Sequence, residues 1–141
     1  MRDTARTVAR CVATFDLLAT GCLAVPGMET RFTALLTQLD ATFGFAAPFP
    51  PLTPLGLLLA NLAGALGVVW ALVRIAWPLR RLVAADAIAR VGVAALFAHA
   101  IEVRGVTPVL WAFVATELIG SAAQAWVLPR LRDPRESARL L

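Results

Sequence analysis

An all-α membrane bundle of four transmembrane helices is the fold this sequence predicts. Three observations predict it. Hydrophobic residues make up 60 % of the 141-residue chain and charged residues 16 %, against about 45–50 % and about 25 % in soluble domains. Four apolar segments recur, each of about 18–23 residues, enough to cross ~30 Å of hydrocarbon as a helix. The arginines gather in the short flanks between them. Mean hydropathy is +0.77, so a globule of this size could not hide its apolar surface from water. A sequence pI near 10.9 suggests nucleic acid, but basic residues lying mostly in short flanks beside apolar runs argue against it as a partner. The alternating pattern of a β-barrel is absent, and helices satisfy their own backbone polar groups in lipid.

The first span is read from about residue 8 to residue 25, stopping at Pro26-Gly27. Arg2, Arg6 and Arg10 precede it, but Asp16 interrupts it and no small-residue cleavage site follows, so it is expected to be a mature span, not a leader. Cys11 and Cys22 both fall in this run, ~16 Å apart on one helix face, too far for a mutual disulfide. In the long connection that follows, Phe32, Leu35, Leu36, Leu39 and Phe43 recur at helical spacing. They predict a short amphipathic helix over about 31–43, lying at the membrane interface as a lid. The segment AAPFPPLTP then reads as an extended return lead.

The second span, 55–77, is bracketed by Pro54 and Pro78, and its Ala60, Gly64, Gly67 and Ala71 suit close helix packing or a dimer face. The third, 82–103, is Ala-rich and carries Asp86, Arg90 and His99. The fourth, 108–128, ends at Pro129 and holds Glu117 with Gly120, Ser121 and Ala125. Short connections predict that spans two, three and four are antiparallel neighbours. Arg2, Arg6, Arg10, Arg74, Arg80, Arg81, Arg130, Arg132, Arg135 and Arg139 fall on one side of a four-span topology, against Arg31 and Arg104 on the other. That bias places both termini in the cytoplasm, with Trp77 and Trp126 as interfacial anchors.

Ionisable residues inside spans are the informative ones, because each is costly in hydrocarbon. Counted at ~1.5 Å per residue from the cytoplasmic side, Arg90 lies ~10–12 Å deep, Asp16 ~12 Å and Glu117 ~16 Å. A buried network of Asp16, Arg90 and Glu117 is expected, with Asp86 and Arg74 at its more hydrated edge. Such a network either fixes which helices are neighbours or forms a ligand or proton site, with Glu117 as the candidate for a carboxylate left without a cation. A second polar group, Asn61 with His99 and Glu102, is expected near the outer end, where Asp40 of the short helix could approach. A single histidine in the whole chain excludes a two-histidine metal site or bis-histidine haem, and no metal or other cofactor is expected. No phosphate-binding loop, nucleophile elbow or zinc-protease motif occurs, so no catalytic residue is assigned.

The basic start, the long first outer loop with its amphipathic helix, the basic hairpin VRIAWPLRRLVAADAIAR and the Ala-rich third span resemble the DoxX-like group of small bacterial membrane proteins. The resemblance implies a bacterial inner-membrane protein, with redox or quinone-related roles found among members. More distantly, His99, Glu102 and Glu117 resemble, as residue types, the sterol-isomerase-like fold, in which acidic groups and histidine line a lipid-binding cavity. The expected function is a non-enzymatic accessory or small-hydrophobic-ligand-binding subunit. A proton-coupled small transporter, or a membrane enzyme acting on a lipid or quinone, stands beside it. Expected partners are the bilayer, a small hydrophobic ligand or a second membrane protein, and a homodimer.

Overall fold

In a computed structural model, residues 2–45 and 49–131 are described, and all their regular structure is helical. Five α-helices follow one another: α1 Arg2–Gly21, α2 Met28–Thr42, α3 Pro54–Ala76, α4 Arg80–Arg104 and α5 Trp111–Val127. Short 3-10 turns extend α1 (Cys22–Ala24) and flank α5 (Pro108–Leu110 and Leu128–Arg130). Four stretches are long and apolar enough to cross a membrane: Asp3–Ala24, Pro54–Ala76, Arg80–Arg104 and Pro108–Arg130. Their outward side chains are large and apolar, with Leu18 and Ile88 each 75 % exposed. Water does not tolerate a continuous coat of that kind, whereas acyl chains do.

Local chemistry sets the helix limits. α1 starts well before the apolar run because Ala5 and Ala9 are buried, packing with Val83, Val127 and Leu131. Asp3 in its first turn also suits the positive end of the helix. α2 begins about one turn earlier than its apolar stripe predicts, after Gly27 at φ 89°. That early start brings Glu29 onto the helix. Thr53 caps α3 by accepting a 3.1 Å hydrogen bond from Gly56 N, and Pro54 takes the first position, where no N–H is needed. α4 closes on Gly105 at φ 65°, the left-handed conformation that favours glycine, and Val106 N donates back to Ala100 O.

α1 packs chiefly on α3, and α4 chiefly on α5, with α1 also touching α5. Spans two and three are thus not the close neighbours that their short connection suggests; they meet through the side chains of Trp70 and Arg74, which reach across to Asp86. Gly64 explains the first pairing: a Cβ there would overlap the backbone of Leu23 and Ala24. Two apolar clusters sit apart. One joins Ala5 and Ala9 of α1 to Val83 of α4 and to Val127 and Leu131. The other joins Leu36 of α2 to Ala94 and Ile101 of α4 and to Leu110 and Val114. Along α4 and α5, the polar residues lie between the two.

The inner face of α2 departs from the predicted stripe. Phe32 and Leu36 face inward, but Leu35, Leu39 and Phe43 are exposed, and the buried positions also include Glu29 and Asp40. Asp40 accepts a hydrogen bond from the buried Thr107 hydroxyl. Two buried carboxylate anchors, not an apolar stripe alone, orient this helix. Part of the return lead (residues 46–48) and Arg132, Arg135 and Arg139 of the basic flank lie outside the described residues.

Candidate functional site

The polar layer is built around two guanidiniums. Arg90 of α4 donates through Nε to Asp86 Oδ2 at 3.0 Å, through Nη1 to Glu117 Oε2 at 2.9 Å, and through Nη2 to Asp16 Oδ2. One planar cation therefore contacts carboxylates from three helices, which suits its fork of donors. Arg74 of α3 bridges Asp86 and Asp16, each at 2.5 Å, and lies over the Trp70 ring at 5.7 Å. Asp86 also accepts from Trp70 Nε1 at 2.6 Å and from Gln124 Nε2 at 2.6 Å. Gly120 leaves room for this arrangement, since a Cβ there would stand 2.9 Å from Arg90 Nη1.

Arg74 and Asp86 are enclosed together with Arg90, and are not the hydrated edge that depth counting implies. Arg74 is 2 % exposed, whereas the side chains of Asp16 and Glu117 are 15 % and 22 % exposed. The cause is lateral: Trp70 and Gln124 close over Asp86 from two sides. Depth along a helix does not report rotation about it. Arg74 accordingly belongs to the interior cluster and not to the basic flank.

Beside this layer lies a partly open cavity of about 640 Å³, lined by residues from all five helices and the second connection. Its walls are mostly apolar and include Phe15, Phe32, Phe49, Phe97 and Phe113. Phe113 stacks on Phe97 at 5.5 Å and meets Phe32 edge-on at 6.3 Å. Three carboxylates also line it: Asp16, Glu117 and Glu29. Glu29 is 4 % exposed and accepts at Oε2 from Asn61 Nδ2 at 3.2 Å. No hydrogen bond from a described residue reaches Asp16 Oδ1, Glu117 Oε1 or Glu29 Oε1. Asp86, by contrast, has both oxygens engaged and does not line the cavity.

The structure thus brings together Asp16, Arg74, Asp86, Arg90 and Glu117. It does not bring together the outer group. His99 and Glu102 are exposed, and neither they nor Asn61 line the cavity. Asn61 is instead held by Leu23 O at 2.9 Å and by Glu29, while Asp40 has turned to Thr107. The i, i+3 spacing of His99 and Glu102 puts both on one helix face, and that face points outward. Glu29, Trp70 and Gln124 were missed by sequence reasoning. The signal for Gln124 was its place two turns from Glu117 on one face of an apolar helix; Glu29 had only its proximity to Pro26-Gly27. Among the described residues no group of three or more His, Cys, Asp or Glu side chains is placed to hold a metal ion. Comparison of the chain with protein-family models, with curated proteins and with solved structures returned no match.

Proposed function

We propose that this chain is a small membrane-embedded binding protein whose cavity receives a small hydrophobic ligand. The observation behind this reading is the cavity itself. It falls within the ~300–1,000 Å³ range of ligand sites, and it combines aromatic walls with a few polar groups, as such sites do. The ionic layer gives that cavity a rigid polar floor. In this reading α2 lies at the outer interface over the cavity, the four spans alternate in direction, and both termini face the cytoplasm of a bacterial inner membrane. The distribution of arginines supports the orientation. The DoxX-like resemblance in loop and hairpin organisation supports the location.

The test is native mass spectrometry of the chain released from mild detergent. The expected result is one small hydrophobic molecule retained per protein. Ala60→Phe, which adds a ring to the cavity wall, should lose it while keeping the detergent melting temperature of the parent. Absence of any retained molecule from the parent, with no apolar probe able to bind, would overturn the reading. A second reading, a proton-coupled small transporter, is favoured by the surplus of carboxylates over guanidiniums at the floor. It requires that ligand binding release or take up protons, which an unbuffered titration with a pH electrode measures directly.

A further inference from the structure

Charge around the cavity does not balance among the described residues. Asp16, Asp86, Glu117 and Glu29 are four carboxylates, and Arg74 and Arg90 are the two guanidiniums among them. Asp86 is saturated by four donors. The three acids with an open oxygen are the three that line the cavity. Glu29 is the sharpest case: it is buried, it faces the cavity, and no arginine among the described residues pairs with it. A buried carboxylate without a cation is costly in a low-dielectric site, and it strongly favours any positive charge that can reach it.

The walls point to the same kind of guest. Five phenylalanines line the space, and aromatic faces attract a cation through the ring quadrupole while accepting an apolar body. An anion would meet three carboxylates, and a small hydrated cation would lose its water against phenylalanine. A ligand that carries positive charge on an apolar frame satisfies both surfaces at once. We infer that the cavity is a site for a lipophilic organic cation, its positive centre seated at Glu29 with Glu117 and Asp16 facing the same space. This inference rests on the proposed binding function and names the chemical class of its ligand.

Three probes of matched shape and different charge test it: tetraphenylphosphonium, neutral tetraphenylmethane and tetraphenylborate. Equilibrium binding is measured with the purified chain in phosphatidylcholine nanodiscs, with empty nanodiscs as reference. The cation should bind at least about tenfold more tightly than the neutral probe, the equivalent of one favourable charge contact of about 1.4 kcal/mol, and the borate should not bind. Glu29→Gln should lower cation affinity about tenfold and leave the neutral probe unchanged. If that variant does not fold, Glu117→Gln should give a loss in the same direction. Equal binding of cation and neutral probe, unaffected by either substitution, overturns the inference while leaving hydrophobic-ligand binding intact. Saturable binding of none of the three overturns both.

Discussion

Arg90 touches three carboxylates on α1, α4 and α5, so its charge is shared among helices that are distant in sequence. Taking such a group out of water is expensive, and good geometry only recovers that cost; removing one partner leaves the others uncompensated. Arg90→Leu would strand Asp16, Asp86 and Glu117 with Arg74 as the cation beside them. The expected loss is about 3–5 kcal/mol, read as a sharp fall in monodisperse yield and melting temperature in detergent. Adding Asp16→Asn should recover part of it, because the second substitution removes one of the stranded charges. Unchanged yield and melting temperature for the single variant would mean that the cluster does not hold the bundle. The cluster itself shows how far residue-level reading reaches. Depth counting brings Asp16, Arg90 and Glu117 to one layer, since rise per residue is a property of any helix. It misplaces Arg74 and Asp86, because enclosure by Trp70 and Gln124 depends on helix rotation and on neutral partners that composition does not flag.

At the scale of elements, the spans were legible because lipid demands length and apolarity, both of which are one-dimensional patterns. Packing partners were less so. A short connection between α3 and α4 suggests adjacency, yet α3 packs on α1, and the reason lies at Gly64. Gly64→Ala should therefore lower the melting temperature, by the equivalent of about 1–3 kcal/mol for an overpacked contact. The backbone of Leu23 and Ala24, unlike the end of a flexible side chain, cannot yield cheaply. Gly92→Ala on α4 is the matched control: its Cβ meets nothing within 4 Å, so melting should hold or rise slightly as alanine improves helix propensity. Equal effects at both positions would show that glycine conformational freedom, and not close approach, sets the response. The short helix α2 was foreseen as an element, but not its inner face. Apolar periodicity selected Leu35, Leu39 and Phe43, whereas the structure turns Glu29 and Asp40 inward, because each finds a polar partner there.

For the molecule as a whole, four helices long and apolar enough to cross a membrane, with outward Leu and Ile side chains, suit hydrocarbon as the surrounding solvent. The orientation proposed from the arginines is open to direct measurement. In a background carrying Cys11→Ser and Cys22→Ser, Arg104→Cys should react with a membrane-impermeant maleimide added to intact cells, and Arg80→Cys should react after permeabilisation. The reverse pattern would invert the topology, and labelling of both sites in intact cells would defeat the four-span reading. No one-dimensional signal announced the cavity, since its walls come from every helix and the second connection. It lies where two helix pairs, α1 with α3 and α4 with α5, meet beside a shared ionic layer.

That ionic layer has a consequence for biogenesis. Segments leave the ribosome from the N-terminus onward, so the buried charges enter the bilayer in a set order. Asp16 on α1 waits for Arg74 on α3, which cancels it. α4 then arrives internally neutral, with Asp86 and Arg90 one turn apart on the same face. With α4 in place, Asp16 and Asp86 are matched by Arg74 and Arg90 within that layer. The final helix adds Glu117 alone to that layer, so a second carboxylate without its own cation joins Glu29 at the moment the bundle closes.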